Sequence, residues 1–486
     1  MTAKLPKLPL TPFIDGVFEQ PGLASEPLLD PATGETLARV HSANREQALK
    51  AIAAARRAFD DGDWPKMPVF ERGQVLRRIA DRILARAEDL ALLESVNGGK
   101  PITGARREVA GTARVFNYYA GAMDKFFGDT IPVSEQLLNF TLHEPLGVVA
   151  QITPWNFPLL AAAWKLAPAL AAGCACLLKP SPLTPLSTLL LAEIIAECGV
   201  PRGIVNILPG GAEIGQLLAT HEAIDGISFT GSTAVGTEVM RAAAGTVKKV
   251  ALELGGKNAC IVFDDADIAG AAKSAVSGAF GNAGQSCSAR SRFLVQKSAI
   301  APFTEALLGE LKMLRLGSPL DPTTTLGPLI SAAHWQRVER SVRGAEQQGA
   351  RLLTGGHRPD DLPDGNFFLP TVFGGVTADM PLYNEEVFGP VCSITSFETE
   401  NDAVRKANDS VYGLNGSVWS RDIGRALRVA KAVRTGMIAV NGLPSASSTS
   451  LFAPFGGTKR SGIGRELGMD ALAFYTEVKT VTIDLS

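Results

Sequence analysis

Residues 146–179 read LGVVAQITPWNFPLLAAAWKLAPALAAGCACLLK, and this stretch decides the fold. Leu146–Thr153 is a short apolar run typical of a buried strand, Pro158–Ala172 has a helical pattern that ends at Gly173, and Cys174–Lys179 is strand-like again. A strand, a helix and a second strand in this order predict two parallel strands, with the helix crossing one face of their sheet.

The same alternation continues over most of the remaining chain. Further strand-like runs are Ile204–Leu208, Gly226–Thr230, Lys249–Leu254, Ala259–Phe263, Arg292–Gln296, Val391–Phe397 and Met437–Val440. Helical patterns are Pro185–Cys198, Ala212–Thr220, Thr233–Ala243, Ile268–Phe280, Ala299–Met313, Asn401–Ala407 and Ile423–Val433. Because Gly255-Gly256 divides this alternation into two series, the sequence predicts an α/β protein with two doubly wound domains.

Two amphipathic helices precede the alternation. Asn44 is predicted to cap the first, with Gln47 as its capping-box partner, and this helix runs to about Phe59. The second spans about Val69–Glu94 and is stopped by Asn97-Gly98-Gly99.

Composition excludes several classes of protein. The 486 residues are 46% hydrophobic and 20% charged, and 47 basic against 49 acidic side chains leave a net charge of −2. These values are typical of a globular protein and give no reason to expect a nucleic-acid partner. The longest apolar stretch, Leu166–Leu178, contains Pro168 and Gly173 and falls short of the ~20 residues that span a membrane. Six cysteines are too few for a disulfide scaffold, and the N-terminus has no secretory signal, so we expect a cytoplasmic enzyme with no membrane partner.

Several catalytic signatures are missing. No Gly-x-Gly-x-x-Gly follows the first strand, and Gly231–Gly236 has the glycine spacing of a phosphate-binding loop but is followed by Thr237 where that motif has lysine. The five histidines show no metal-ligand spacing, and no Gly-x-Ser-x-Gly elbow occurs. We therefore expect no metal site, and triphosphatase, zinc hydrolase and serine hydrolase functions lose their main support.

Cys287 is the candidate reactive thiol. It follows a turn rich in Gly, Asn and Ser directly after a helical pattern, whereas the other five cysteines mostly lie in apolar runs typical of small buried side chains. A buried structural thiol is the alternative interpretation. No histidine is near in sequence, so a nucleophilic Cys287 would depend on a carboxylate as its base.

Two further polar residues follow predicted strands. Glu253 stands among apolar neighbours, so it is either a structural acid paired with a buried Lys or Arg, or a general base with a raised pKa. Its position at the carboxyl end of a strand favours the base, because ligands bind there in parallel sheets. Asn156, between Pro154 and Pro158, is either a turn residue or an oxyanion donor on a rigid loop.

Seven motifs in chain order resemble those of the aldehyde dehydrogenase superfamily. They are Pro154-Trp155-Asn156-Phe157-Pro158, Lys179-Pro180-Ser181, Phe229-Thr230-Gly231-Ser232-Thr233, Leu252-Glu253-Leu254-Gly255-Gly256-Lys257, Gln285-Ser286-Cys287, Glu385-Glu386-Val387-Phe388-Gly389-Pro390 and Pro454-Phe455-Gly456-Gly457. The resemblance covers nearly the whole chain and implies the non-phosphorylating, hydrolytic, NAD(P)-dependent type. It implies a Rossmann-like cofactor domain (1–125 and 145–252), a catalytic domain (253–462) and a small β oligomerisation element (126–144 and 463–486).

The resemblance also implies residue roles. Cys287 is the nucleophile, Asn156 Nδ2 and the Cys287 N–H form the oxyanion hole, Glu253 is the general base for thioester hydrolysis, and Lys165 helps to move protons. The implied cofactor residues are Ile152, Thr153, Trp155, Lys179, Ser181, Pro182, Gly211, Phe229, Gly231, Ser232, Val235, Leu254, Glu386 and Phe388. The implied substrate residues are Phe157, Trp164, Ser286, Ser288, Leu451, Phe452 and Phe455. No Arg or acid is obvious in this last set, which favours an uncharged aliphatic or aromatic aldehyde, although each aromatic taken singly is more often core packing.

The choice of cofactor depends on Pro182. Strictly NAD-using members usually carry an acid three residues after the ribose lysine, here Lys179, and Pro182 stands at that place. We therefore expect both NAD and NADP to be used, with NAD slightly favoured. One alternative function is that of a CoA-acylating semialdehyde dehydrogenase, which Glu253 argues against. Another is a catalytically silent structural relative, which the intact Cys287, Asn156, Glu253 and Glu386 argue against.

The last residues, about Glu477–Leu485, alternate like a half-exposed strand that has no neighbour in sequence. An unpaired edge is an aggregation hazard, so this strand must pair elsewhere. The resemblance places it against about Phe126–Glu144, and we expect that pairing to join neighbouring subunits of a homodimer or homotetramer.

Overall fold

A computed structural model describes residues 5–22, 24–442 and 451–486. The strands are β1 (Phe13–Ile14), β2 (Val17–Phe18), β3 (Ala24–Leu29), β4 (Thr36–His41), β5 (Thr130–Ser134), β6 (Leu137–Pro145), β7 (Val148–Ile152), β8 (Ala175–Lys179), β9 (Val205–Ile207), β10 (Gly226–Thr230), β11 (Lys249–Glu253), β12 (Ala259–Val262), β13 (Arg292–Gln296), β14 (Arg351–Thr354), β15 (Thr371–Gly374), β16 (Val391–Phe397), β17 (Tyr412–Gly413), β18 (Gly416–Trp419), β19 (Ala439–Val440), β20 (Thr458–Lys459), β21 (Gly462–Ile463) and β22 (Thr476–Asp484). The helices are α1 (Arg45–Asp60), α2 (Val69–Ala85), α3 (Ala87–Gly98), α4 (Ile102–Ala120), α5 (Pro158–Ala172), α6 (Leu186–Glu197), α7 (Ala212–Thr220), α8 (Thr233–Ala244), α9 (Ile268–Phe280), α10 (Ile300–Leu311), α11 (Ala332–Gln347), α12 (Pro381–Asn384), α13 (Glu400–Asn408), α14 (Ile423–Ala432) and α15 (Asp470–Phe474).

The first large sheet has the order β2-β1-β9-β8-β7-β10-β11-β21. Its five central strands are β9, β8, β7, β10 and β11, and they are parallel to one another. The pairs at the two edges of the sheet are antiparallel. The chain moves outward from β7 through β8 to β9 and then returns to the other side of β7 for β10. Ligands bind at such a switch point, beyond the carboxyl ends of the strands.

The second large sheet has the order β14-β15-β16-β13-β12-β18-β19 and is parallel except for β14 at its edge. The predicted α/β fold with two doubly wound sheets is therefore confirmed. The sequence analysis missed β14, β15 and β18, because each is a run of only four residues, and Gly374 in β15 and Gly416 in β18 weaken the pattern further.

The capping box predicted for α1 is present. The Asn44 side chain accepts from the N–H of Gln47 at 2.8 Å, and the Gln47 side chain accepts from the N–H of Asn44 at 3.1 Å. The single helix predicted over residues 69–94 is instead two helices, α2 and α3, which meet at Arg86, where φ is −109° and ψ is 23°. Ile83 and Leu90, on either side of this break, are fully buried, so the pattern of buried apolar residues does not reveal it.

The terminal strand pairs within its own chain. β22 lies antiparallel to β6 along all nine of its residues, and β5 pairs with the other side of β6. The expected partner segment is therefore correct, but the expected pairing between subunits is wrong. The fold itself returns the chain to this place, since the N–H of Leu146 donates to the carbonyl of Tyr475 at 3.0 Å. Of the helices that the structure describes, none has the length and apolar character needed to cross a membrane.

Candidate active site

A cavity of about 970 Å³ lies at the switch point of the first sheet. Its wall follows the carboxyl ends of β7, β8, β10 and β11 and includes residues from the second sheet's half of the chain. Every residue that the resemblance implied for the cofactor lines this cavity, from Ile152 to Phe388. Asn156, Glu253 and Cys287 line it too, so the fold brings the three candidate catalytic residues and the candidate cofactor residues to one space.

The loop that carries Cys287 is held by polar contacts. It follows α9 and passes through Asn282 and Ala283, which both have left-handed backbone angles, with φ of 52° and 55°. Asn258 Nδ2 donates to the carbonyl of Cys287 at 2.8 Å and to that of Ala289 at 2.9 Å. A Cβ on Gly256 would lie 2.5 Å from the Cys287 carbonyl, so this close approach requires glycine. The thiol is thereby kept at the cavity wall.

Cys287 differs from the other cysteines in its surroundings. It is half-buried, whereas Cys174, Cys176, Cys198, Cys260 and Cys392 are buried. Burial raises the pKa of the Cys287 thiol far above its usual range, and Glu253 and Glu386 raise it further. The Ser288 N–H acts in the opposite direction. In the absence of ligands the thiol is therefore protonated at neutral pH, and nucleophilic attack requires its proton to leave.

Asn156 is directed at the Cys287 loop. Its Nδ2 donates to the carbonyl of Gln285 at 2.9 Å, and its own carbonyl accepts from Asn282 Nδ2 at 3.2 Å. A primary amide has two N–H groups, so the second remains to donate to an oxyanion. The arrangement supports the oxyanion-donor interpretation over that of a turn residue.

Glu253 ends β11 as a buried carboxylate. Neither of its oxygens has a hydrogen-bond partner among the described residues, and in those same residues it forms no salt bridge. Burial raises its pKa well above the usual value, Glu466 raises it further, and Lys165 lowers it. A structural acid would be paired with a buried cation, so the structure favours the general base.

Lys165 lowers the pKa of Glu253 by its charge but does not line the cavity. It is fully buried, forms an ion pair with Glu466 and donates from Nζ to Ser228 Oγ at 2.8 Å. Sequence analysis did not identify Glu466. The available signal was the buried lysine itself, because a buried ammonium needs an acid and Lys165 stands in an apolar helix.

The cofactor side of the cavity is ordered around Glu386 and Phe388. Glu386 Oε1 accepts from the N–H of Gly256 at 3.0 Å, and burial raises its pKa to about 7. Phe388 has a left-handed backbone, with φ of 59°, and its ring centroid lies 5.3 Å from that of Trp155. His334 Nε2 lies 2.7 Å from the Phe388 carbonyl. His334 and its cavity neighbour Arg337 belong to no motif, and sequence analysis missed both.

The opposite end of the cavity suits a dinucleotide. Gly231 and Ser232 stand at the N-terminus of α8, and the Ser232 hydroxyl caps it by accepting from the N–H of Val235 at 3.4 Å. Such helix ends bind phosphate groups. Lys179 Nζ donates to the carbonyl of Gly210 at 2.7 Å, and burial lowers the pKa of this lysine to about 8. The size of the cavity and this polar end fit a nicotinamide dinucleotide.

The implied substrate residues lie outside the wall of the large cavity and form separate contacts. Trp164 and Phe455 pack with ring centroids 4.9 Å apart, and exposed Phe452 packs on Tyr118 at 5.3 Å. Ser286 Oγ and Ser288 Oγ are 3.0 Å apart. Lys100 Nζ lies 4.8 Å from the ring centroid of Phe157. Leu451 is half-buried, and its carbonyl accepts a hydrogen bond from the N–H of Gly468. Sequence analysis did not single out Tyr118.

Comparison with known proteins gives consistent matches. A family model described as "Aldehyde dehydrogenase family" matches residues 20–481. The betaine aldehyde dehydrogenase of Bacillus subtilis is 45% identical over 97% of this chain and 96% of its own length. The peroxisomal aminoaldehyde dehydrogenase 2 of Pisum sativum is 43% identical over 97% of this chain and 95% of its own. A crystal structure of Staphylococcus aureus betaine aldehyde dehydrogenase in complex with NAD+ superimposes with a TM-score of 0.96 at 41% identity, covering 99% of this chain and 95% of that one.

Proposed function

The chain belongs to the aldehyde dehydrogenase family, and from this premise we propose that it oxidises an aldehyde to the carboxylic acid through a covalent adduct of Cys287. The observation that carries the proposal is the convergence of Cys287, Asn156, Glu253 and Glu386 on one cavity large enough for a dinucleotide. NAD+ is the proposed cofactor, supported by the NAD+ complex of the Staphylococcus aureus relative.

Each step assigns a task to residues of this chain. The Cys287 thiol first gives its proton to water in the open cavity. The resulting thiolate Sγ adds to the aldehyde carbonyl, and the Cys287 N–H and the second N–H of Asn156 hold the oxyanion of the thiohemiacetal. A nicotinamide dinucleotide in the cavity supplies the hydride acceptor that turns this adduct into a thioester. Glu253 removes a proton from water, which attacks the thioester and releases the acid. Glu253 forms no hydrogen bond to the buried pair of Lys165 and Glu466, so this pair would pass that proton onward through an intervening water.

For the substrate, we propose an aldehyde that carries an amino or quaternary ammonium group. Two relatives above 40% identity are named for betaine aldehyde and aminoaldehydes. The exposed ring of Phe452, which packs on Tyr118, supports this choice, because an accessible aromatic face attracts such cations without an acid. The sequence predicted an uncharged aldehyde only because the implied substrate residues include no charged side chain, and an aromatic ring can attract a cation without one.

The test compares betaine aldehyde with 3,3-dimethylbutanal, its neutral isostere, by the formation of reduced nicotinamide. We expect turnover without CoA and a higher kcat/KM for the cation. Turnover only in the presence of CoA would favour the acylating alternative, and no turnover with any aldehyde would favour the silent relative. A preference for the neutral isostere would restore the uncharged aldehyde as substrate.

A Pro182→Glu substitution tests cofactor choice. Pro182 lines the cavity near Lys179 and offers neither an acceptor for a ribose hydroxyl nor a charge that repels a 2′-phosphate. We expect wild-type activity with both NAD and NADP, and the variant to raise KM for NADP at least about tenfold more than KM for NAD. A wild-type enzyme that discriminates more than ~10³-fold, equivalent to about 4 kcal/mol, would show that residues outside this loop set the preference.

We also propose that the enzyme forms a homodimer or homotetramer through the sheet β22-β6-β5. In the described chain, Leu138, Leu142 and Ile483 lie on one face of this sheet, and each is about 40% exposed. An apolar face of this kind marks a contact surface. A Leu142→Asp substitution should therefore lower the mass measured by light scattering. Met313→Asp is the matched control, because Met313 is an exposed apolar residue that lies just after α10, outside this sheet. An unchanged mass in the Leu142 variant would contradict the proposal.

A further inference from the structure

The end of α3 buries three polar residues behind the candidate active site. Glu94, Asn97 and Lys100 are each no more than 3% exposed. Gly99 ends the helix with a left-handed φ of 72°. Buried polar groups are costly unless they are paired, so their partners show what this helix end holds in place.

Glu94 caps the helix that follows the Asn156 loop. α5 begins at Pro158, which has no N–H, and the side chain of its N-cap residue, Phe157, forms no capping hydrogen bond. Glu94 Oε1 instead accepts from the N–H of Leu159 at 3.3 Å. The same oxygen accepts from Ser187 Oγ of α6 at 2.5 Å. A carboxylate in this place also complements the positive end of the α5 dipole.

Asn97 caps the helix that follows the Lys179 loop. The N-cap of α6 is Pro185, which forms no side-chain cap. Asn97 Oδ1 accepts from the N–H of Leu186 at 3.5 Å, and its Nδ2 donates to the carbonyl of Leu183 at 2.8 Å. One helix end therefore supplies the missing caps of two others, and both of these begin directly after a loop of the cavity.

Two further contacts tie this arrangement together. Thr184 Oγ1 donates to the carbonyl of Trp155 at 3.0 Å, which joins the two loops directly. Lys100 Nζ donates to Glu94 Oε2 at 3.2 Å and also pairs with Glu108. The same ammonium lies over the ring of Phe157, next to Asn156, so it both balances the capping carboxylate and supports the oxyanion loop.

We propose that Glu94 and Asn97 are positioning residues that hold the oxyanion donor Asn156 and the cofactor loop at residues 179–184 in one fixed relation. The inference rests on the roles proposed above for Asn156 and Lys179. A displacement of about 1 Å at such a site can reduce the rate ~10²-fold. Glu94 contacts the helices behind both loops, so its loss affects chemistry and cofactor binding, whereas Asn97 contacts only the cofactor side.

The test measures the NADH burst rate and the Kd for NAD+ in Glu94→Ala, Glu94→Gln and Asn97→Ala. In Glu94→Ala we expect a burst rate at least about tenfold lower, together with a Kd several-fold higher. Glu94→Gln retains an acceptor oxygen, so its burst rate and its Kd for NAD+ should both be close to those of the wild type. Asn97→Ala should raise the Kd while keeping the burst rate within about threefold. The burst rate is expressed per active site by dividing it by the burst amplitude. A smaller fraction of folded enzyme therefore changes neither this burst rate nor the Kd for NAD+.

Glu88→Ala is the control, because Glu88 lies on the same helix and forms an exposed ion pair with Arg106. If Glu94→Ala does not fold, Ser187→Ala replaces it, since Ser187 shares the Glu94 oxygen. Native burst rate and Kd in folded Glu94→Ala, or in Ser187→Ala where that variant replaces it, would overturn the inference. A wild-type protein without NAD-dependent aldehyde oxidation would instead overturn the proposed function, and the two failures are distinguishable.

Discussion

The Cys287→Ala variant is expected to lose aldehyde oxidation completely and to bind NAD+ with a Kd within about twofold of the wild type. The reason is chemical, because no other atom in the described cavity wall can form the thiohemiacetal and thioester. Truncation removes one sulfur from a half-buried position and leaves the loop held by the Asn258 contacts to backbone carbonyls. Cofactor binding should therefore survive.

The measurements are steady-state NADH formation, the single-turnover burst and calorimetric titration with NAD+. Cys198→Ala is the matched control, because Cys198 is a buried thiol at the end of α6, away from the cavity. Its turnover should remain native. Near-native turnover of Cys287→Ala would disprove the covalent mechanism, and equal losses in both variants would indicate damage to the fold instead.

Glu253→Gln is expected to reduce steady-state turnover by about 10²–10⁴-fold, the usual contribution of a general base. The loss should fall on hydrolysis of the thioester, so a burst of one NADH per active site should persist when the thiol can still ionise. Stopped-flow absorbance separates the burst from the slow phase. Unchanged turnover would remove Glu253 from the mechanism.

The pH dependence of this step follows from the buried carboxylate. Burial raises the pKa of Glu253, and only the ionised carboxylate can act as a base. The wild-type deacylation rate should rise with pH through that pKa, and the Gln variant should lose this rise.

The raised pKa also means that Glu253 stabilises the fold when protonated and that this contribution is lost as pH increases through the folded pKa. Glu253→Gln should therefore be no less stable than the wild type at high pH, which melting temperatures can check.

Much of the fold could be predicted because its elements have strong local patterns. α5, α7 and α9 and the strands β10, β13 and β16 begin and end at the predicted residues. Each is either a continuous apolar run or an apolar helix bounded by Gly, Pro or a capping side chain. α4 and α11 were not identified. Glycines interrupt α4, and α11 is polar over most of its surface.

The sequence by itself determined the α/β architecture and singled out Cys287, Asn156 and Glu253 as candidate site residues, because each of them stands next to a strand or helix end that its neighbours specify. Only the tertiary structure decided that β22 pairs with β6 of its own chain, that Glu466 faces Lys165 and that Glu94 caps α5. These contacts join residues that are far apart in sequence; Lys479 and Glu144, for example, are separated by 335 positions. A local sequence pattern indicates that a strand must pair with another strand, or that a buried lysine must pair with an acid. Which strand and which acid those are depends on the order of the strands in the sheets.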